Sequence, residues 1–196
     1  ILEAIAILEQ YARELGRRLM VFKLQVDSDL DSEEGAKYGL GSSAAVTIAT
    51  IRALCRLYEI EEDDLTIYKL AALAHLKLGS NGSFGDLAAS AFTGWIAYQC
   101  FDRKFVLEQK ASHSLPELVA MDWPSLMIRK LTPPTEYDLL IAWTKRPAST
   151  PSLVDEVRTE VDPDAYRSFL FASKDLVCQM IEAFDNDNGP AICSLL

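Results

Sequence analysis

Two short stretches hold residues whose types and spacing could do chemistry. The first is Gly39-Leu40-Gly41-Ser42-Ser43-Ala44-Ala45, which runs straight into the apolar segment Val46-Thr47-Ile48-Ala49-Thr50-Ile51. Gly39 and Gly41 lack a Cβ, so the backbone there can take positive φ and approach a ligand closely. Ser42 or Ser43 is a preferred N-cap for the periodic run behind it. A helix start leaves about four backbone N–H groups without partners, at the positive end of the helix dipole. Glycines just ahead of such an end make an anion site, most naturally for phosphate. The same spacing also fits an ordinary glycine loop capped by serine. The second stretch is Gly79-Ser80-Asn81-Gly82-Ser83-Phe84-Gly85-Asp86. Asp86 stands between a glycine loop and an apolar helix rather than on a charged face. The bland alternative makes Asp86 the N-cap of a helix over 87–91.

The elements that must position these residues follow from periodicity. Residues 1 to about 19 carry Ile, Leu and Ala at helical spacing, and Gly16 marks the end. Met20–Val26 alternates apolar and polar residues, which predicts a strand with one solvated face. Asp27 to Gly35 is an acidic surface loop leading to the first glycine stretch. A helix over Ser43–Tyr58 is apolar on most of its circumference, with Arg52 and Arg56 on its polar side. Asp63 or Asp64 caps a second, largely buried helix that runs to Leu78 and stops at Gly79. Strands are expected at Gly94–Phe101, Ser125–Lys130 and Tyr137–Thr144, and a short helix at Leu115–Met121. Thr150-Pro151 reads as a helix start. A last helix near Pro163–Ala183 would pack Tyr166, Phe169, Leu170, Leu176, Val177 and Ile181. Helices and strands are mixed without regular alternation, so the fold class is α+β.

Composition narrows the function. The chain has 196 residues, 49% hydrophobic and 24% charged, with a formal charge of -10. Its Lys and Arg residues form no cluster larger than pairs such as Arg17-Arg18 and Lys145-Arg146. That excludes non-specific nucleic-acid binding and attraction to an anionic membrane surface. No apolar stretch reaches the ~20 residues of a membrane span, and a cytoplasmic location is expected. Cys55, Cys100, Cys178 and Cys193 have no metal-like spacing, and buried free thiols are the expected state. His75 and His113 lie far apart; His75, on an apolar helix, reads as a hydrogen-bonded core histidine.

Gly39-Leu40-Gly41-Ser42-Ser43-Ala44-Ala45 resembles the second signature of the GHMP kinases, the small-molecule kinases of galactose, homoserine, mevalonate and phosphomevalonate. Gly79 to Ala89 resembles the family loop that ends in the catalytic aspartate. Gly35-Ala36-Lys37-Tyr38, Gly82-Ser83-Phe84-Gly85-Asp86, Gly94-Trp95-Ile96-Ala97-Tyr98 and Ala142-Trp143-Thr144 are closest to the bacterial branch acting on phosphomevalonate. The likeness runs from about Val21 to Leu153. It implies a two-lobed fold, with residues 1–135 as the remainder of an N-terminal lobe and 136–196 as the start of a C-terminal lobe. The chain has no initiator Met and lacks the family's first and third signatures, so it is expected to be the central part of a longer protein.

The resemblance implies ATP and Mg²⁺ as cofactors and a small-molecule acceptor. Lys37, Gly39, Leu40, Gly41, Ser42, Ser43 and Ala44 would bind the ATP phosphates, and the hydroxyl of Ser42 or Ser43 would reach Mg²⁺. Asp86 matches the catalytic aspartate. Asn81 and Ser83 on its loop, with Lys145, Arg146, Ser149 and Thr150, would recognise the acceptor, since a cation beside a helix start suits phosphate or carboxylate. An exposed basic turn and a plain surface Lys37 are the bland alternatives. Gly35 replaces a proline that many members carry, and His75 stands where related mevalonate kinases place a magnesium-binding glutamate. Runner-up readings are a sibling such as mevalonate kinase, or a non-catalytic ligand-binding relative.

Overall fold

The computed structural model describes residues 1–29, 38–142 and 162–196. The described chain forms α1 (Leu2–Glu14), α2 (Ser42–Leu57), α3 (Asp64–Lys77), α4 (Gly85–Phe92), β1 (Trp95–Gln99), α5 (Arg103–Lys110), α6 (Leu115–Ala120), β2 (Met127–Leu131), α7 (Pro163–Asp185) and α8 (Gly189–Leu195). β1 and β2 pair in a two-stranded sheet. Two compact units divide the chain, Ile1–Ile128 and Arg129–Leu196.

The first unit is built around α3. Eight consecutive residues of this helix, Ile67 to Ala74, are buried, because α1, α2, α4 and α6 pack round it. A helix apolar on all sides is stable only when neighbours cover it completely. Ala71, Ala72 and Ala74 let those neighbours approach closely, while Tyr68, Leu70 and Leu73 fill the space between them. α2 contributes Ala44, Ile48, Ile51 and Cys55, a 4-3-4 spacing that forms one face. α4 adds Leu87, Ala88 and Ala91. Asp63 caps α3 by accepting from the Thr66 N–H at 2.7 Å, as its position ahead of the apolar run predicts.

Two buried polar features fix how these helices sit. The Lys69 side chain, 4% exposed, donates to the carbonyls of Val119 (2.8 Å) and Met121 (2.7 Å) at the end of α6, and its ammonium lies 5.5 Å from the Trp123 ring centre. A cation at a helix C-terminus satisfies carbonyls that have no helical partner. Arg52 joins α2 to the start of α3 through Asp64 (2.7 Å) and to the end of α4 through the Ala91 carbonyl (2.6 Å). Its polar-side placement in sequence therefore marks a junction, not a free surface.

In the second unit α7 is joined to α8 by a turn in which Asn188 caps the shorter helix. Arg129 and Asp185 form a two-pronged ion pair at 2.6 and 3.0 Å. Among the described residues no helix is long and apolar enough to cross a membrane.

Several expectations change. Met20–Val26 forms no strand; Phe22 and Leu24 are half-buried between exposed neighbours, but no ladder partner lies beside them among the described residues. Tyr137–Thr144 is not a strand over its described part, 137–142. On α7, Tyr166, Phe169, Leu170, Leu176 and Val177 are exposed rather than packed, and Ala183 and Phe184 are the buried residues. Cys178 and Cys193 are exposed and Cys100 is half-buried; of the four thiols Cys55 is buried. α5 and α8 are helices that the apolar periodicity does not predict. Thr150-Pro151 lies outside the described residues.

Candidate active site

The first glycine stretch becomes the mouth of α2. Gly41, not Ser42 or Ser43, is the N-cap residue, in a left-handed conformation with φ 79° and ψ 31° that a serine there would adopt only at a cost. No serine side chain caps the helix. Intrahelical bonding begins at the Ala45 N–H, which donates to the Gly41 carbonyl at 3.0 Å. The amides of Ser42, Ser43 and Ala44 therefore precede the ladder, at the positive end of a sixteen-residue helix. Gly39 also has positive φ, 79°, and Leu40 is exposed.

The second stretch becomes the head of α4. Its N-cap is Phe84, a non-glycine residue at φ 61° whose side chain is 2% exposed. Asp86 is thus the second residue of α4 rather than its cap. One of its carboxylate oxygens accepts from the Leu87 N–H at 2.9 Å. The two stretches meet: a Cβ built on Gly41 would stand 3.7 Å from the Cβ of Asp86. A carboxylate and an array of helix-start amides thus share one edge of the α2–α4 packing.

The loop carrying Asp86 is held from below. Tyr98, on β1, donates its hydroxyl to the Ser83 carbonyl at 2.6 Å and shares a hydrogen bond of 2.8 Å with the Tyr68 hydroxyl. The Arg103 guanidinium donates to the Gly82 carbonyl and lies 4.8 Å from the Phe84 ring centre. Phe84 stacks on Phe101 at 5.6 Å, and Phe101 meets Trp123 edge-on at 4.7 Å. Burial raises the pKa of both tyrosines, so they remain protonated donors. Asn81 is exposed, and Ser83 lies on the same rim with its hydroxyl 3.4 Å from the Gly85 N–H.

His75 lies between the two stretches. Its Nε2 is 3.2 Å from the Thr47 hydroxyl, which itself donates to the Ser43 carbonyl at 2.9 Å. With the hydroxyl donating to Ser43, a proton on Nε2 completes the chain from the imidazole to the α2 backbone. The ring also meets Phe84 edge-on at 6.4 Å. Burial lowers its pKa below 6.5, with the Asp86 charge acting in the opposite direction, so the imidazole is neutral at pH 7. His75 is hydrogen-bonded, as the sequence suggested, but it links α2, through Thr47, to the Asp86 loop, through Phe84.

Lys37, Lys145, Arg146, Ser149 and Thr150 lie outside the described residues. Tyr98, Arg103, Phe84 and Thr47 make contacts in this neighbourhood that sequence spacing does not foretell. Arg103 had one local signal, since Asp102 just before it is an N-cap whose side chain accepts from the Phe105 N–H at 3.1 Å. Among the described residues no group of three or more His, Cys, Asp or Glu forms a metal cluster. The oxygen donors at the α2 mouth, two serine hydroxyls and the Asp86 carboxylate, suit a hard cation that keeps most of its waters.

Residues 2–94 match the GHMP kinases N terminal domain. That part of the chain, just under half of it, is similar to the GHMP kinase family. It is 35% identical over 194 residues to a phosphomevalonate kinase of Streptomyces sp. (strain CL190), covering 98% of this chain and 52% of that protein. Among solved structures it superposes on the Lin0012 protein from Listeria innocua with TM-score 0.89 at 36% identity, covering 98% of this chain and 55% of that one. It matches the Streptococcus pneumoniae phosphomevalonate kinase in complex with phosphomevalonate and AMPPNP with TM-score 0.85 at 31% identity, covering 98% and 57%. The chain therefore spans about half the length of these relatives. The mixed α+β architecture agrees with that fold.

Proposed function

We propose that this chain is the central part of a phosphomevalonate kinase, with residues 1–135 in the N-terminal lobe and 136–196 opening the C-terminal lobe. The whole protein would move the γ-phosphoryl of ATP to the 5-phosphate oxygen of phosphomevalonate, giving 5-diphosphomevalonate and ADP in the mevalonate route to isoprenoids. One observation carries the reading: Gly41, at the mouth of α2, and Asp86, at the head of α4, are in contact range, with 3.7 Å separating the Asp86 Cβ from a Cβ placed on Gly41. The Streptococcus pneumoniae relative's complex with phosphomevalonate and AMPPNP supports the choice of ligands.

Phosphoryl transfer asks a protein chiefly for positioning and charge neutralisation. The amides from Gly39 to Ala44 would cradle the triphosphate, and Lys37 would add a cation. Ser42 and Ser43 would hold Mg²⁺, which when bound neutralises phosphate charge and orients the oxygens. Asn81, Ser83, Lys145, Arg146, Ser149 and Thr150 would fix the acceptor. A phosphomonoester has a second pKa of about 6, so the acceptor oxygen is already mostly ionised at neutral pH. Asp86 then orients the acceptor and relays a proton more than it abstracts one.

A coupled ADP-release assay on the full-length protein tests this, with mevalonate, phosphomevalonate and homoserine side by side. Turnover dependent on phosphomevalonate is expected. Preference for either other acceptor, or no turnover with any, overturns the reading.

A further inference from the structure

We propose that Arg103 is the positioning residue of the Asp86 loop: its guanidinium, with the Tyr98 hydroxyl, clamps two adjacent carbonyls of that loop and so sets the carboxylate against the mouth of α2. The inference rests on the reading above in one respect, that Asp86 is the working carboxylate.

Three consecutive loop residues are each held by a different device. Gly82 gives its carbonyl to Arg103, Ser83 gives its carbonyl to Tyr98 at 2.6 Å, and Phe84 buries its ring between Phe101 at 5.6 Å and the Arg103 guanidinium at 4.8 Å. Gly85 follows with the Tyr98 ring so close that an added Cβ would meet Cδ1 at 3.4 Å. Asp86 comes next. The backbone at Phe84 is in the left-handed region, φ 61°, where a bulky residue persists only if its surroundings hold it. Arg103 touches both the strained residue and the carbonyl two positions before it.

The clamp comes from outside the loop. Tyr98 sits on β1 and Arg103 is the first residue of α5, so the loop's shape is fixed to a strand and a helix rather than to its own flexible residues. Among the described residues Arg103 has no carboxylate partner within ion-pair distance, while its neighbour Lys104 pairs with Glu108. A planar guanidinium can donate in its plane and cover a ring with its face at once; an ammonium can do only the first well.

Three variants of the full-length protein test the clamp: Arg103→Leu, Arg103→Lys and Tyr98→Phe. Misplacing a reacting group by about 1 Å costs on the order of a hundredfold in rate. Arg103→Leu is therefore expected to lower kcat by about tenfold to a hundredfold while KM for ATP stays within about twofold. Its melting temperature should fall by no more than about 4 °C. Arg103→Lys should recover a clear part of the lost kcat, and Tyr98→Phe should lose kcat in the same sense. Unchanged kcat in Arg103→Leu overturns the proposal, as does a loss that follows the melting temperature and is not recovered by lysine. A second measurement needs no turnover: amide hydrogen exchange at Ala88–Ser90 of this chain, where the Ala88 N–H donates to the Phe84 carbonyl, should quicken about tenfold or more in Arg103→Leu, with α3 amides unchanged. If the full-length wild type phosphorylates none of the acceptors, the functional reading fails, and exchange alone decides the clamp; unchanged exchange at Ala88–Ser90 then overturns it.

Discussion

Asp86 and Gly41 come from loops 45 positions apart in sequence, yet a methyl group on Gly41 would rest 3.7 Å from the Asp86 Cβ. That distance is ordinary van der Waals contact. The glycine is required by its φ of 79°, not by lack of room.

Gly41→Ala should therefore strain the α2 mouth without a clash. A left-handed alanine costs about 1–2 kcal/mol, which urea unfolding of the variant should show as a matching loss. If the mouth relaxes toward a normal helix start, its amides rotate away, and AMPPNP affinity of the full-length protein should fall about tenfold, equivalent to about 1.4 kcal/mol. Calorimetry reads both quantities. Unchanged affinity would show that the amides of Ser42–Ala44 do not carry the phosphates.

Asp86→Asn keeps the size of the side chain and an oxygen acceptor for the Leu87 N–H. The fold should survive, with a melting temperature within about 3 °C of wild type. Turnover should drop far more than substrate affinity, by about two orders of magnitude for a lost acid–base or orienting group. Steady-state kinetics with both substrates varied tests the split. Equal losses in kcat and in affinity would assign Asp86 to plain binding.

His75 gives a pH dependence with a definite sign. Its folded pKa lies below 6.5, chiefly through burial, so the unfolded chain binds more protons in the interval between the two values. Stability then rises with pH through that interval. The contribution is whole above about pH 6.5 and is lost as pH falls from 6.5 through the folded value. Urea unfolding at a series of pH values should show this component in wild type and not in His75→Gln, which has no group titrating there. Parallel profiles for the two proteins would mean that His75 titrates alike in both states.

The thiols should separate by reactivity. Burial, helped by the Glu62 charge, pushes the Cys55 thiol up to about 11, whereas Cys178 and Cys193 are exposed. At pH 8 iodoacetamide should modify Cys178 and Cys193 in the native chain and reach Cys55 only after denaturation. Mass spectrometry of the alkylated peptides reads the order directly.

Much of this arrangement is legible in the sequence, and the unread parts share a cause. α2 and α3 are fixed by apolar spacing and by Asp63, features that act within one or two turns. The Gly-Ser-Ser stretch and Asp86 stand out through their resemblance to family signatures, because their spacing alone fits an ordinary capped loop equally well. The choice of Gly41 over a serine as cap could not be read, because it depends on a positive φ rather than on a side chain that accepts a hydrogen bond. Met20–Val26 shows the alternation of a strand in its burial, but a strand also needs a partner, and pairing is not a local property. α5 buries Val106 as its one fully covered residue, so its apolar periodicity is faint even though Asp102 caps it. Arg103 and Tyr98 meet carbonyls 21 and 15 positions away, distances at which sequence spacing carries no geometric information. On α7 the amphipathic pattern was readable, but which of its residues are covered depends on neighbours.

Because the supports of the 80–85 turn grip main-chain oxygens, the identities of the side chains it displays are largely decoupled from its shape. A Cβ at Gly82 would find Ser80 Oγ at 3.7 Å, an ordinary approach, and Asn81 points outward at the rim. Positions 81 and 82 are therefore places where evolution or an engineer can exchange one surface group for another while the scaffold beneath stays as it is.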